Sequence, residues 1–292
     1  MRKILITGAN SYIGTSFEAW VTREELKGQY KIDTLDMMNP NWKGHDFSQY
    51  DVVFHVAGIA HADIRDVTEE EKQRYYTVNT GLAIETAQHA RSMGVKQFIY
   101  MSSIIVFGDS SKKGYYHIDK STKPNPANFY GDSKLQADIG LHKLQGEDFH
   151  VVSLRPPMVY GKGSRGNYPR LARLAKKLPF FPSYQNERSM LHIENLCECI
   201  RLIVDDWESG IFYPQNREYV CTAKLVKTIR EQSGGKMRLV ALLNPFVGLA
   251  VKCSGTAGKV FGTMVYDREL SNYRDFDYCV NDFEESIRRT EG

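Results

Sequence analysis

A short apolar run, Ile4 to Thr7, feeds directly into the glycine-bearing turn TGANSYIG, from Thr7 to Gly14, and a helical pattern extends from Tyr12 to Leu26. The chain then repeats this alternation. Lys31 to Asp36 is a second strand ending in an acid. Asp51 to Ala57 (DVVFHVA) is a nearly continuous apolar run, as expected for a strand covered on both faces. Val78 to Ser92 is helical and stops near Gly94; Gln97 to Met101 is a strand ending at Ser102 and Ser103. Tyr130 to Leu144 is helical, and Val151 to Arg155 is a strand stopped by Pro156 and Pro157. Strands alternating with helices in this way argue for a parallel, doubly wound α/β sheet.

Beyond about residue 160 the pattern loosens. Gly161, Gly163 and Gly166 mark a loop, Tyr168 to Lys177 a helix, Arg188 to Val204 a strand running into a helix, and Asp282 to Arg289 a closing helix. The expected division is a dinucleotide-binding domain of residues 1–160 and 191–221, with a smaller substrate lobe of 161–190 and 222–292. A net charge of +3 over 292 residues gives no case for a nucleic-acid partner. The five cysteines include no CxxC pair. Cys197 and Cys199 fall on a helix where their side chains diverge, so reduced structural thiols are expected rather than a metal site. Met1 to Gly8 enters the first strand with no signal-peptide pattern, and a cytoplasmic enzyme is the expectation. Leu239 to Val251, the most apolar window, is too short to cross a bilayer. Its expected fate is burial, or a greasy wall beside a ligand, rather than membrane insertion.

Two motifs carry chemistry. In TGANSYIG, Gly8 and Gly14 sit where a strand becomes a helix, so backbone amides can face a pyrophosphate. Ser11 stands where a middle glycine would normally be, and either crowds the phosphate or donates to it. Asp36, ending the second strand, can accept hydrogen bonds from both adenosine ribose hydroxyls and would repel a 2′-phosphate. With no basic residue between it and Lys43, the sequence favours NAD over NADP. In YGDSK, Tyr130 and Lys134 share one face of a helix. A tyrosine with a pKa of about 10 needs help to act near neutrality, and the expectation is that Lys134 and a positive nicotinamide ring lower it. Ser103, at a strand end, can bind the substrate oxygen and share its proton with Tyr130.

With these residues in view, the chain resembles the extended short-chain dehydrogenases, the epimerase/dehydratase family acting on nucleotide sugars. The resemblance runs from Lys3 to about Leu196 and rests on TGANSYIG, DVVFHVAG, VNTGLAIETAQHARSMGVKQFIYMSS, FYGDSK, RPPMVYG and RSMLHIENL. It implies a Rossmann-type domain with a substrate lobe, a homodimer, and roles for individual positions. Gly8, Asn10, Tyr12, Ile13 and Gly14 match the cofactor loop, from which Ser11 departs. Asp36 matches the ribose acid, Asp46 and Phe47 the adenine side, and Val56, Ala57 and Gly58 the loop along the cofactor. Ser103, Tyr130 and Lys134 match the catalytic set, while the segment from Pro156 through Pro157 to Val159 matches that beside the nicotinamide. Asn167 and Arg188 match positions that grip the substrate diphosphate, and His55, His61 and His192 are expected to be structural. Dehydratases of this family carry an Asp-Glu pair soon after the catalytic serine or threonine; Ile104 and Ile105 stand there and cannot act as acid and base. The implied function is a 4-epimerase. The alternatives are a reductase of a 4-keto nucleotide sugar and a non-enzymatic cofactor-binding protein on the same fold.

Overall fold

Strand β1 (Arg2–Thr7) buries Ile4, Leu5 and Ile6, so it needs cover on both faces and a partner on both edges. In the computed structural model, which describes residues 1–60, 67–108 and 115–292, it lies between β2 (Tyr30–Leu35) and β3 (Val52–His55). The sheet continues through β4 (Gln97–Met101), β6 (His150–Leu154) and β10 (Gly210–Phe212), all parallel. The order β10-β6-β4-β3-β1-β2 means that the chain leaves β1 in one direction and later resumes on its other side. That reversal opens a crevice beyond the carboxyl ends of β1 and β3, where ligands of such sheets bind.

Side-chain alternation along the strands fixes which helix covers which face. Helix α1 (Tyr12–Val21) sets Phe17 edge-on against Phe54 of β3, with ring centres 5.3 Å apart. On the same face, Trp20 donates from Nε1 to Glu198 of α6 (Ile193–Asp205) at 2.9 Å. The opposite face carries α3 (Ala83–Ser92) and α4 (Phe129–His142). Ala83, Ala87, Ala90 and Ala137 bring these two helices down onto Leu5, Val53 and Phe98. Small residues at helical spacing let the helices lie close to the sheet. Upstream of α3, α2 (Glu69–Tyr75) begins at a Thr68–Glu71 capping box and passes through a π-helical turn, Tyr76–Leu82. The helix predicted from Val78 therefore starts as a wider turn. Cys197 and Cys199 of α6 are buried thiols.

Chain contacts divide the described residues into two units. The first holds 1–60, 67–108, 124–156 and 197–213; the second holds 115–123, 157–196 and 214–292. Residues 157–160, 191–196 and 214–221, expected with the large sheet, fall in the second unit. The reason is pairing: β7 (Met158–Tyr160) binds β9 (Met190–His192) in a small sheet of their own. Likewise β5 (Tyr115–Ile118) pairs with β12 (Thr263–Tyr266), and β8 (Phe180–Pro182) with β11 (Arg238–Val240). Around them, α5 (Asn167–Ala175), α7 (Thr222–Gln232) and α10 (Phe283–Glu291) enclose a core that includes Tyr160, Tyr168, Val226, Ile229 and Ile287. Tyr160 and Tyr168 stack at 5.0 Å.

The apolar window at 239–251 departs from the expected burial. It forms β11, a short 3₁₀ turn and α8 (Asn244–Cys253), followed by α9 (Gly255–Phe261). Only Val247 and Val251 of α8 are buried, because the helix lies on the surface and can turn just one side inward. Leu242, Phe246 and Leu249 face outward.

Candidate active site

At the carboxyl end of β1 the backbone turns so tightly that side chains are excluded. Gly8 has φ +124°, and a Cβ there would lie 2.6 Å from the Ala57 backbone nitrogen. The Thr7 carbonyl accepts from the N–H groups of both Val56 and Ala57, binding this turn to the loop after β3. Asn10 is left-handed at φ 59°, a conformation asparagine tolerates. Ser11 resolves its sequence ambiguity: its hydroxyl accepts from the Gly14 N–H at 3.1 Å and caps α1. The serine thus holds the start of the helix in shape, and the α1 amino end with Tyr12 and Ile13 retains the positive character an anion needs. Gly14 is required for a different reason, since a Cβ there would press on Ser11, Ile6 and Val56.

Asp36 stands exposed at the end of β2, and its Oδ1 accepts from the Met38 N–H at 2.9 Å. It therefore does begin a turn, and the turn fixes the carboxylate at the strand end. Lys43 points elsewhere: it pairs with Glu85 at 3.4 Å. Asp46 accepts from the Ser48 backbone and hydroxyl at 2.9 and 2.6 Å, which holds its carboxyl below the usual range. Phe47 is fully buried against His89, so its ring belongs to the core and only its backbone can face a ligand. Gly8, the α1 amino end, Asp36 and the Val56–Gly58 loop line the same end of the sheet. A glycine cradle closed to any Cβ, a helix amino end and an exposed strand-end acid fit a dinucleotide.

The chemistry-bearing groups meet at the end of β4. Ser103 caps the short turn Ile104–Phe107 by accepting from the Ile105 N–H, and its hydroxyl lies near the Tyr130 phenol. Asn128 caps α4 through Gly131, which sets Tyr130 in the first turn. Burial pushes Tyr130 up to about 12; Ser103 pulls it down, and Tyr75, edge-on at 6.0 Å, pushes it up. The expected lowering by Lys134 is not what these neighbours produce. Lys134, 6% exposed, directs Nζ to the Met101 carbonyl at 2.8 Å, above the Tyr100 ring, and burial lowers its own pKa to about 8. Gly58 passes beneath it, where a Cβ would lie 3.3 Å from Nζ.

Behind this set lie residues that sequence reasoning missed. Asn79, buried in the π-helical turn, accepts from the Ile59 N–H at 2.8 Å, and its amide donates to the Ile59 carbonyl and the Ser133 hydroxyl, both at 3.1 Å. It ties the cofactor-side loop to the helix of Tyr130 and Lys134. The Tyr100 hydroxyl donates to the Asn79 carbonyl at 3.0 Å. One turn beyond Lys134, Asp138 accepts from Ser102 at 3.0 Å and from Arg155 Nε at 2.9 Å, all three buried. The signal was present as Tyr130, Lys134 and Asp138 at successive spacings of four. Ser102 is thus structural. His55 is buried with Nδ1 2.8 Å from the Thr7 hydroxyl, and burial drops its pKa to about 3. His61 lies outside the described residues.

The remaining predicted positions belong to the second unit. Asn167 is the exposed first residue of α5. Arg188 bridges Val220 and Met264 through its backbone and donates from a terminal nitrogen to the Gly262 carbonyl at 3.1 Å. Pro157 is buried, and Val159 pairs with Leu191 in β9. His192 is buried, 3.3 Å from Asn281, with its pKa lowered by burial to about 4.

Comparison with known proteins bears on the family and the fold. The profile of the NAD dependent epimerase/dehydratase family matches residues 4–213. A UDP-glucose 4-epimerase of Vibrio cholerae is 31% identical over 287 residues, covering 89% of this chain and 83% of that protein. Among solved structures, UDP-glucuronic acid 4-epimerase from Bacillus cereus in complex with NAD superposes with a TM-score of 0.70 at 17% identity, over 99% of this chain and 95% of that one. dTDP-4-dehydrorhamnose reductase from Bacillus anthracis in complex with NADP gives 0.69 at 20% identity, over 99% of each chain. At these identities the structures speak for the fold alone.

Proposed function

The chain belongs to the NAD dependent epimerase/dehydratase family, and from that membership we propose that it is a nucleotide-sugar 4-epimerase that uses NAD. The observation that carries the reading is the placement of the Ser103 hydroxyl near the Tyr130 phenol at the end of β4, with the buried Lys134 one helical turn along. Ile104 and Ile105 follow Ser103, so the acid and base of a dehydration are missing, and a redox reaction at one carbon is what remains.

When bound, the nicotinamide supplies the hydride chemistry. The protein's part is to move one proton and hold one oxygen. Tyr130 exchanges its phenolic proton with the oxygen on carbon 4, and Ser103 donates to that oxygen to fix its distance from the phenol. Lys134 places a positive charge beside the cofactor's ribose, held there by the Met101 carbonyl. Gly8, Asn10, Tyr12, Ile13 and Gly14 hold the pyrophosphate, Asp36 the adenosine ribose, and Val56, Ala57 and Gly58 the length of the cofactor. Asp46, Phe47, Pro157 and Val159 complete the cofactor contacts. Arg188 and Asn167 grip the substrate diphosphate, arginine being suited to hold two phosphate oxygens at once.

Proton NMR of UDP-hexoses and their N-acetyl forms incubated with the protein and NAD tests the reading. The 4-epimer should accumulate to equilibrium, and Tyr130→Phe should slow its formation by about 10²–10⁴-fold while leaving NAD bound. No epimer from any of these sugars would refute the proposal.

A further inference from the structure

Helix α8 carries more apolar surface than its own packing uses. Val247 and Val251 face inward, and Gly248 lies against Tyr184, which in turn meets Phe261. The inner side is therefore complete. On the outer side Leu242 is 81% exposed, Phe246 70% and Leu249 64%. Phe246, Leu249 and Cys253 follow at spacings of three and four, so they form one stripe, which Leu242 extends at the helix start. A patch of three large exposed apolar side chains in one stripe calls for a partner surface.

Charge identifies the partner. Between Glu231 and Asp267 the chain has no acidic residue, and its cations there are Lys236, Arg238, Lys252 and Lys259. Lys236, Arg238 and Lys252 are exposed, and Lys252 lies three residues beyond Leu249, on the edge of the stripe. Apolar side chains flanked by lysine and arginine, with carboxylates absent from the whole stretch, complement a surface that is greasy within and negative at its rim. We infer that this face of α8 docks on an anionic phospholipid bilayer, with Leu242, Phe246 and Leu249 entering the headgroup boundary and the cations meeting lipid phosphates. No helix of the described residues is long and apolar enough to cross a membrane, so the attachment is peripheral. Three apolar side chains and a few cations give reversible adsorption, not anchoring. The inference is independent of the proposed activity, since none of these residues is placed in the site.

Flotation with vesicles tests it. The protein should float with vesicles of phosphatidylcholine containing about one third phosphatidylglycerol at low salt, stay behind with phosphatidylcholine alone, and be released at about 0.5 M salt. Phe246→Glu combined with Leu249→Glu should weaken binding more than about tenfold, and Lys252→Gln about fivefold, with the melting temperature unchanged. Absence of flotation with the anionic vesicles at low salt would overturn the inference, as would equal flotation with both lipids. Unchanged binding by the double variant would also overturn it. A dimer in solution that the double variant splits, without vesicle binding, would assign the face to a second copy of the chain. Because salt and lipid dependence are read on the wild-type protein, a variant that fails to fold does not block the test.

Discussion

Ser11 shows what a single residue can and cannot reveal before a structure is known. Its place in the glycine motif was plain, but whether it crowded the phosphate or helped it depended on one rotamer, and the hydroxyl turns back to cap Gly14. Ser11→Gly should therefore cost only a few tenths of a kcal/mol at the cap and keep NAD binding, measured by melting and calorimetry. Asp36 was legible as the acid that ends the second strand, where it begins a turn; the ribose role proposed for it uses the same strand end. Asp36→Asn should weaken NAD and narrow its advantage over NADP, since the repulsion of a 2′-phosphate goes with the charge. An unaltered cofactor preference in titrations of both would take Asp36 out of the ribose site. Asn79 was not legible. A polar residue in an apolar helical pattern looks like a break, and only the fold reveals that its side chain spans Ile59 and Ser133.

At the scale of elements, α4 carries the residues of the proposed chemistry on one face. Tyr130, Lys134 and Asp138 succeed one another by single turns, and the carboxylate of Asp138 raises the pKa of Lys134 against the burial that lowers it to about 8. Removing that charge lets burial act alone, so Asp138→Asn should bring Lys134 lower still. The alkaline limb of the kcat profile, where the ammonium loses its proton, should then move to lower pH. A profile that falls in height without moving would leave Asp138 a purely structural partner of Arg155. Asp138→Ala is a harsher change: it strands the buried Arg155 and should cost about 3–5 kcal/mol of stability. Five of the six strands of the large sheet were readable because apolar strands and helical periods alternate over the first 155 residues; the sixth, β10, has three residues and was not read. In the second unit only β9, α5 and α10 could be read, because β8 and β11 have three residues each, too few to show a period. The π-helical turn before α3 lay beyond any pattern in the sequence, since its residues remain compatible with an ordinary helix.

For the whole molecule, two buried histidines link stability to pH. His55 and His192 titrate at about 3 and about 4 in the fold, both below the ordinary value of about 6.5. As pH falls from 6.5, the unfolded chain takes up protons that the folded chain refuses, so stability is full above 6.5 and is lost progressively below it. Each group contributes up to about 1.4 kcal/mol per pH unit over that window. Melting temperatures should fall between pH 7 and pH 5, and His55→Gln should flatten the slope by one proton; equal melting at both pH values would mean that the histidines charge within the fold. Function at this scale turns on redox balance. An epimerase ends each cycle with its cofactor in the form in which it began, whereas a reductase consumes one reduced cofactor per product. Absorbance at 340 nm, followed while NMR reports the sugars, measures this directly. The account predicts interconversion of the epimeric nucleotide sugars with no net change at 340 nm. Stoichiometric consumption of added NADH with a 4-keto nucleotide sugar, and no interconversion of the epimers, would contradict it.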